Sequence, residues 1–183
     1  MTTIEQNLTQ YAAYHRDRRN IATHFVGVPM IVFSVVLALA VVEIPVGPVA
    51  LTLAAIASIA ASIYYLRLEL TLGITMALTL FAMCAGASEI THRLGTGASL
   101  GIALAVFTVG WAIQFLGHKW EGMKPAFVDD AKQLLIGPVF VCAEAYFLFG
   151  GLAHLRRYIE DRVGPTVARR DGRPIPIREE ATS

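Results

Sequence analysis

Four apolar stretches follow one another along the first two thirds of the chain, separated by short polar connections. They are Phe25–Val42, Val46–Leu66, Leu70–Ala87 and Ala98–Leu116, and none of them contains a charged residue. A helix needs about 20 apolar residues to cross the hydrocarbon core of a bilayer, and short connections favour antiparallel neighbours. The pattern predicts an all-α, polytopic membrane bundle with four transmembrane helices.

A fifth apolar stretch, Gln133–Leu155, is harder to assign. It contains Gly137-Pro138 near its start and Glu144 in its middle. A carboxylate at the bilayer centre is costly, about 2.5–3.5 kcal/mol on insertion scales for an acidic residue, so it should face protein or a cavity. The length of the stretch favours a true span, and the alternative is a re-entrant or interfacial segment.

Charge bias predicts the orientation of the bundle, because lysine and arginine are enriched in cytoplasmic connections. Basic residues flank the first and the fourth predicted span; these are Arg16, Arg18, Arg19, Lys119, Lys124 and Lys132. Four crossings place both groups on one face, which we expect to be cytoplasmic. A full fifth crossing would put the arginine-rich C-terminal segment on the opposite face, so the charge rule favours the re-entrant alternative.

Composition agrees with a membrane-embedded chain. Hydrophobic residues make up 55% of the sequence and charged residues 16%, against about 25% charged residues in an average soluble domain. The net charge of +1 gives no reason to expect a nucleic-acid partner. The polar first 20 residues contain no secretory signal pattern. We expect one membrane-embedded catalytic domain over 1–164 and a flexible cytoplasmic tail over 165–183, since the tail lacks an apolar pattern.

Candidate chemistry gathers in two segments that the topology predicts on the same membrane face. His15 and His24 precede the first span, and His118 with Glu121 follows the fourth. His118 and Glu121 are three positions apart and share a helix face. His15 and His24 would lie ~13 Å apart on a straight helix, so both can bind one ion only if the chain bends between them.

Three imidazoles and a carboxylate make a plausible metal site, because neutral imidazole suits iron, zinc, copper or nickel. Each residue also has a simpler interpretation: His15 as an interfacial histidine, His24 as a helix cap, and Glu144 as a helix-packing hydrogen-bond partner. The arginines before the first span could lie among lipid phosphates, or one could pair with a substrate carboxylate. From the residues alone a membrane metalloenzyme, a small transporter and a non-catalytic lipid-binding protein all stay open.

Two blocks of the sequence resemble a known family. "YAAYHRDRRNIATHFVGVP" (11–29) and "FTVGWAIQFLGHKWEGMKPAFVDDAKQLLIGPVFVCAEAYF" (107–147) are similar to a membrane family long known only as a domain of unknown function. Its characterised fungal member is an endoplasmic-reticulum dioxygenase that acts on 2-hydroxy fatty acids. The spacing between His118 and Glu121 is one residue shorter here than in the fungal pattern.

The resemblance implies an Fe(II)-dependent dioxygenase of fatty-acid α-oxidation that uses O2 to shorten a 2-hydroxy fatty acid by one carbon. It implies that His15, His24, His118 and Glu121 hold the metal. We expect Glu121, Glu144, Arg16 and Arg19 to act in catalysis, with an arginine on the substrate carboxylate and Glu144 orienting a ligating histidine. Membrane lipid is the expected surrounding, and the cytoplasmic face of a bacterial inner membrane the expected location of the site.

Overall fold

The computed structural model describes residues 3–46 and 49–169. This part of the chain is α-helical apart from one short β-hairpin and one 3₁₀ turn. The elements in chain order are α1 (Ile4–Ala12), α2 (Arg18–Ala40), β1 (Glu43–Val46), β2 (Val49–Thr52), α3 (Leu53–Leu68), α4 (Leu70–Glu121), the 3₁₀ turn Ala126–Val128, α5 (Gln133–Leu148) and α6 (Ala153–Val163). The chain divides into two compact units, Met1–Val28 with Ala112–Ser183, and Pro29–Trp111.

The first unit begins with a helix, α1, that the sequence analysis treated only as a polar segment. Thr3 and Gln6 form a capping box, in which each side chain accepts a hydrogen bond from the other residue's backbone N–H. This arrangement satisfies two of the otherwise unpaired amides at the helix start. Helix α1 packs against α5 and α6 in the same unit.

Residues 13–17 form a non-helical break between α1 and α2. Helix α2 starts at Arg18, and Asp17 caps it, because Asp17 Oδ1 accepts a hydrogen bond from the backbone N–H of Arg19 at 2.8 Å. His15 therefore lies in the break and His24 within the second turn of α2. This is the bend that the sequence analysis required if His15 and His24 were to meet.

In the second unit, the structure differs from the predicted span Val46–Leu66. Residues of its first part form strands, with Glu43 opposite Thr52 and Val46 opposite Val49 in an antiparallel pair. Pro45 lies in β1, where it cannot donate the backbone hydrogen bond that a helix needs. Helix α3 starts only at Leu53, capped by the Thr52 side chain, and its 16 residues are short for a span.

The third and fourth predicted spans both fall within α4. Gly95, with φ 73° and ψ 173°, interrupts the helical conformation, and this residue lies inside the predicted connection 88–97. Glycine is suited to a positive φ because it has no side chain to clash there. Several apolar side chains of α4 are largely exposed, Phe81 to 74% and Leu104 to 68%, which is a surface suited to lipid.

The prediction of four transmembrane helices is not shown by the structure. In the described residues, α2 and α4 are long and apolar enough to cross a membrane, and a bent pair of helices could provide a third span. The α-helical class is confirmed, and the apolar helices indicate membrane association. The prediction and the structure differ because hydropathy reports only the apolar content of a stretch. It does not show where a helix starts and stops, which is what separates the hairpin from the short α3.

The bent pair is α5 with α6, and it covers the fifth apolar stretch. The two helices meet at an angle of 110° across a short break. Gly150 and Leu152 both have positive φ in this break. The stretch 133–155 is therefore not one straight helix, in agreement with a broken span or a re-entrant segment.

Most of the predicted flexible tail, residues 170–183, lies outside the described residues. The part that is described, 165–169, belongs to the first unit and contacts the residues just before and at the start of α2. Val167 N–H donates to the carbonyl of Arg16 at 2.8 Å, and Arg18 N–H donates to the carbonyl of Val167 at 2.9 Å. This parallel bridge supports the break between α1 and α2 from the C-terminal side.

Candidate metal site

Three histidines converge inside the first unit. The ring centroids of His15 and His24 are 4.5 Å apart, and that of His118 lies 5.0 Å from His15 and 5.2 Å from His24. One ring nitrogen from each residue falls within 4.8 Å of the others. All three side chains are buried. The residues come from the break before α2, from α2 itself and from the C-terminal end of α4.

Backbone carbonyls fix the orientation of two of the rings. His15 Nδ1 lies 2.7 Å from the carbonyl oxygen of Tyr11, and His24 Nδ1 lies 2.8 Å from that of Asn20. A carbonyl only accepts hydrogen bonds, so each Nδ1 carries the proton and each Nε2 keeps its lone pair. This is the tautomer that a histidine needs to bind a metal through Nε2.

The residues fit a metal ion by a further observation. His15 Nε2 and His118 Nδ1 are buried and have no hydrogen-bond partner in the described part of the chain. A buried polar atom without a partner normally costs about 1–3 kcal/mol. An ion shared by the three imidazoles would give both atoms a partner. The His118 ring also forms a hydrogen bond with the backbone of Met123.

The environment keeps His15 neutral. Burial lowers the pKa of His15 well below its ordinary value, and the adjacent His24 and His118 lower it further when they are charged. A neutral imidazole is the metal-binding form. His15 can therefore bind a cation near neutral pH without first losing a proton.

Aromatic side chains enclose the histidines on one side. Tyr11 stacks on His15 with ring centroids 4.1 Å apart and nearly parallel planes, and Phe140 of α5 lies 4.8 Å from Tyr11. The sequence analysis did not identify either residue as part of the site. The signal for Tyr11 was its position four residues before His15, which in a helical turn places the two rings together.

Glu121 lies beside the site but holds backbone amides with both oxygens. Its Oε1 accepts from Arg16 N–H at 3.0 Å, and its Oε2 accepts from Asp17 N–H at 2.8 Å and from the Asn20 side chain at 3.1 Å. The side chain is completely buried. The structure does not include Glu121 in the group of converging metal-binding atoms, so its predicted role as a ligand stays a prediction.

Arg16 and Glu144 form a buried ion pair at 3.3 Å. The Arg16 guanidinium also donates to the carbonyls of Ala12, His15 and Gly164. These contacts hold the break before α2 against α5 and the end of α6. The structure gives Glu144 a hydrogen bond to Arg16, and its predicted role in orienting a ligating histidine stays a prediction.

The remaining candidates are not part of the group of converging histidines. Arg19 pairs with Asp17 at 2.7 Å and lies over the Trp120 ring, so its guanidinium is engaged beside the site rather than in it. The two histidines that the sequence analysis set aside, His92 and His154, are exposed.

The chain is similar in sequence to known proteins. A model of the family described as "Mpo1-like: 2-hydroxy-palmitic acid dioxygenase Mpo1-like" matches residues 1–149. The chain is similar to the protein named 2-hydroxy-palmitic acid dioxygenase MPO1 of Saccharomyces cerevisiae, with 31% identity over 159 residues, 86% of this chain and 87% of the yeast protein. No solved structure matches the chain. The range matched by the family model contains the three converging histidines, His15, His24 and His118.

Proposed function

The chain belongs to the Mpo1-like family, and from this premise we propose that it is an iron-dependent dioxygenase that shortens 2-hydroxy fatty acids by one carbon. The observation that supports the proposal is the group of three buried histidines, whose candidate ligand atoms lie within 4.8 Å of one another. The yeast relative is named for dioxygenase activity on 2-hydroxy-palmitic acid. We transfer that substrate class, not a chain length, to this protein.

Iron is proposed because of the reaction rather than because of the ligands alone. Three imidazoles suit iron, copper, nickel or zinc. Zinc has no redox chemistry, whereas a dioxygenase must pass electrons to O2. Bound iron would supply that redox chemistry. His15, His24 and His118 are the residues that would hold it.

The proposed reaction balances without another reductant. A 2-hydroxy acid, R–CH(OH)–COOH, and one O2 give R–COOH, CO2 and H2O. The C1–C2 bond breaks, and carbon atoms 1 and 2 are oxidised as O2 is reduced. The long R group is apolar, so partition into a bilayer brings the substrate to a membrane-associated enzyme.

The neighbouring residues have supporting roles in this proposal. Glu121 positions the histidine-bearing segments through the amides of Arg16 and Asp17. Burial of His15 against Tyr11 keeps water away from the ring. The Arg16–Glu144 pair stabilises the break before α2. Direct catalytic action by Glu144, Arg16 or Arg19 stays a prediction.

The proposed location combines an observation with a charge rule. Apolar exposed helices support a membrane. We place the site on the cytoplasmic face because of the lysines and arginines around the predicted spans, and we propose a bacterial inner membrane as its location.

The test is chain shortening by the purified protein. Incubation with 2-hydroxypalmitate, Fe(II) and O2 should yield pentadecanoate, measured by gas chromatography with mass detection. The same incubation with palmitate is the matched control and should yield no product, because the proposed bond cleavage needs the 2-hydroxyl. Iron-loaded protein that shortens no 2-hydroxy acid would favour the alternative of a non-catalytic lipid-binding or transport protein.

A further inference from the structure

A cavity of about 430 Å³ lies in the first unit, next to the histidines but lined by other residues. Its size is within the range of ligand pockets, about 300–1,000 Å³. It adjoins the site through the chain, since Arg16 and Phe25 line it and directly follow His15 and His24 in sequence. Neither the family match nor the proposed roles above give this cavity a ligand.

The cavity has an apolar floor. Ile21, Phe147 and Ile159 line it and are buried, with exposures of 7%, 6% and 1%. Leu148 also lines it, is 72% exposed and is followed by Phe149 at 91%. The floor is thus continuous with an exposed apolar edge at the end of α5. An acyl chain could enter over this edge from surrounding lipid.

The rim of the cavity is charged, and its charges do not cancel. Arg16 pairs with Glu144 at 3.3 Å, and Arg156 pairs with Glu160 at 2.8 Å. Arg18 also lines the cavity, is exposed, and has no ion pair or side-chain hydrogen bond within residues 3–46 and 49–169. One positive charge is left over beside an apolar floor.

This combination fits an amphiphile with a single anionic head. We propose that the cavity docks the carboxylate and adjoining chain of a long-chain fatty acid, with Arg18 on the carboxylate and Phe147, Leu148 and Ile159 along the chain. The inference rests on the proposed function, because it identifies the ligand with the substrate or product of that reaction. It assigns carboxylate recognition to Arg18, since Arg16 and Arg19 are already held by acidic partners.

The first experiment locates the ligand independently of turnover. The full-length protein is placed in nanodiscs of phosphatidylcholine without O2 and treated with 2-hydroxypalmitate that carries a photoreactive diazirine on its chain. The proposal predicts saturable crosslinking to Phe147, Leu148 or Ile159, identified by peptide mass spectrometry. Crosslinks confined to the apolar groove of the second unit, which Ala38 and Leu104 line, would overturn it.

Variants then test the role of the charge. Arg18→Ala should lower crosslinking at limiting ligand about tenfold or more, because the variant loses the charge-assisted hydrogen bond to the carboxylate. Arg18→Lys should keep most of it. Arg157→Ala is the matched control, since it removes an exposed arginine of α6 that does not line the cavity, and it should change nothing. Equal crosslinking in Arg18→Ala and the unmodified protein would contradict the proposal.

Competitors separate a fatty acid from other ligands. Unlabelled 2-hydroxypalmitate should displace the probe, and the uncharged 1,2-hexadecanediol should not. Displacement by phosphatidic acid but not by 2-hydroxypalmitate would instead identify a membrane-lipid site. Correct crosslinking in a protein that shortens no 2-hydroxy acid would retain the cavity assignment and remove the proposed function. Chain shortening with an unchanged KM in Arg18→Ala would retain the proposed function and remove the cavity assignment.

Discussion

At the scale of single residues, Glu121 connects all three histidine-bearing segments. Its two oxygens hold the amides of Arg16 and Asp17, directly after His15. It also holds the side chain of Asn20, whose carbonyl orients His24. Glu121 lies one helical turn beyond His118. A single buried carboxylate therefore sets the relative positions of three residues that are up to 103 positions apart in sequence.

Glu121→Gln is predicted to weaken metal binding without removing a ligand. Glutamine keeps the shape but presents an NH2 group where two acceptors are needed, and one buried donor then faces another donor. We expect metal affinity to fall about 10–100-fold, as for other residues that orient ligands. Competition with a chromophoric chelator measures this affinity.

The control for this change is Glu89→Gln, because Glu89 is exposed and pairs with Arg93 on α4. Its affinity should equal that of the unmodified protein. A ligand role for Glu121 would be visible in the absorption spectrum of the Co(II)-substituted Gln variant. An unchanged spectrum supports positioning, and a shifted ligand-field band would show that Glu121 itself binds the ion.

At the scale of elements, the site depends on the close crossing of α2 and α4 near Gly117. A Cβ atom at this position would overlap Thr23 Oγ1 and Asn20 Oδ1. Glycine permits this approach because it has no side chain. The crossing brings His118 to His24.

Gly117→Ala should therefore reduce metal binding by displacing Asn20 and, with it, the carbonyl that orients His24. The overlap should also lower the melting temperature, since overpacking typically costs about 1–3 kcal/mol. Gly101→Ala on the same helix is the matched control, because a Cβ there meets nothing within 4 Å. Metal content and thermal melting in detergent measure both effects. Equal metal content in the two variants would contradict this account of the crossing.

A second element, the segment after α6, supports the break that carries His15. The carbonyl of Gly164 accepts from Arg16, and Val167 bonds to the backbones of Arg16 and Arg18. This segment lies beyond the range that the family model matches. The sequence analysis assigned it to a flexible tail, because composition does not reveal a pairing with residues 150 positions earlier.

Truncation can test this support. Removal of 164–183 should lower metal content and thermal stability, because Arg16 loses the carbonyl of Gly164 and the backbone around Asp17 loses its bonds to Val167. Removal of 170–183 alone keeps Gly164 and Val167 and should leave both quantities unchanged. Equal losses in the two truncated proteins would show that the bridge at Val167 does not stabilise the site.

At the scale of the whole molecule, the sequence predicted the helical class and identified the three histidines, but it predicted the topology less well. His15, His24 and His118 were identified because each stands where a polar segment meets an apolar one, and because the motifs resemble a known family. Hydropathy could not reveal the β-hairpin or the 110° bend after α5. The hairpin depends on backbone hydrogen bonds between its two strands. The bend depends on positive-φ residues such as Leu152 rather than on apolar content.

Side-chain pairing could not be predicted either. The sequence placed Arg16 and Glu144 among catalytic candidates, but not in contact with each other, since 128 residues separate them. The stacking of Tyr11 on His15 was missed for a related reason: an aromatic residue near a membrane face is commonly an interfacial anchor. The Arg16–Glu144 contact forms only once the break before α2 packs against α5.

The metal content of the purified protein and its histidine variants tests the central claim most directly, that three distant histidines form one metal site. Protein purified anaerobically and loaded with Fe(II) should bind about one iron per chain by elemental analysis, and His15→Ala, His24→Ala and His118→Ala should each bind little. His92→Ala removes an exposed histidine and should bind as much as the unmodified protein. Full iron content in all three site variants, or none in the unmodified protein, would contradict the account.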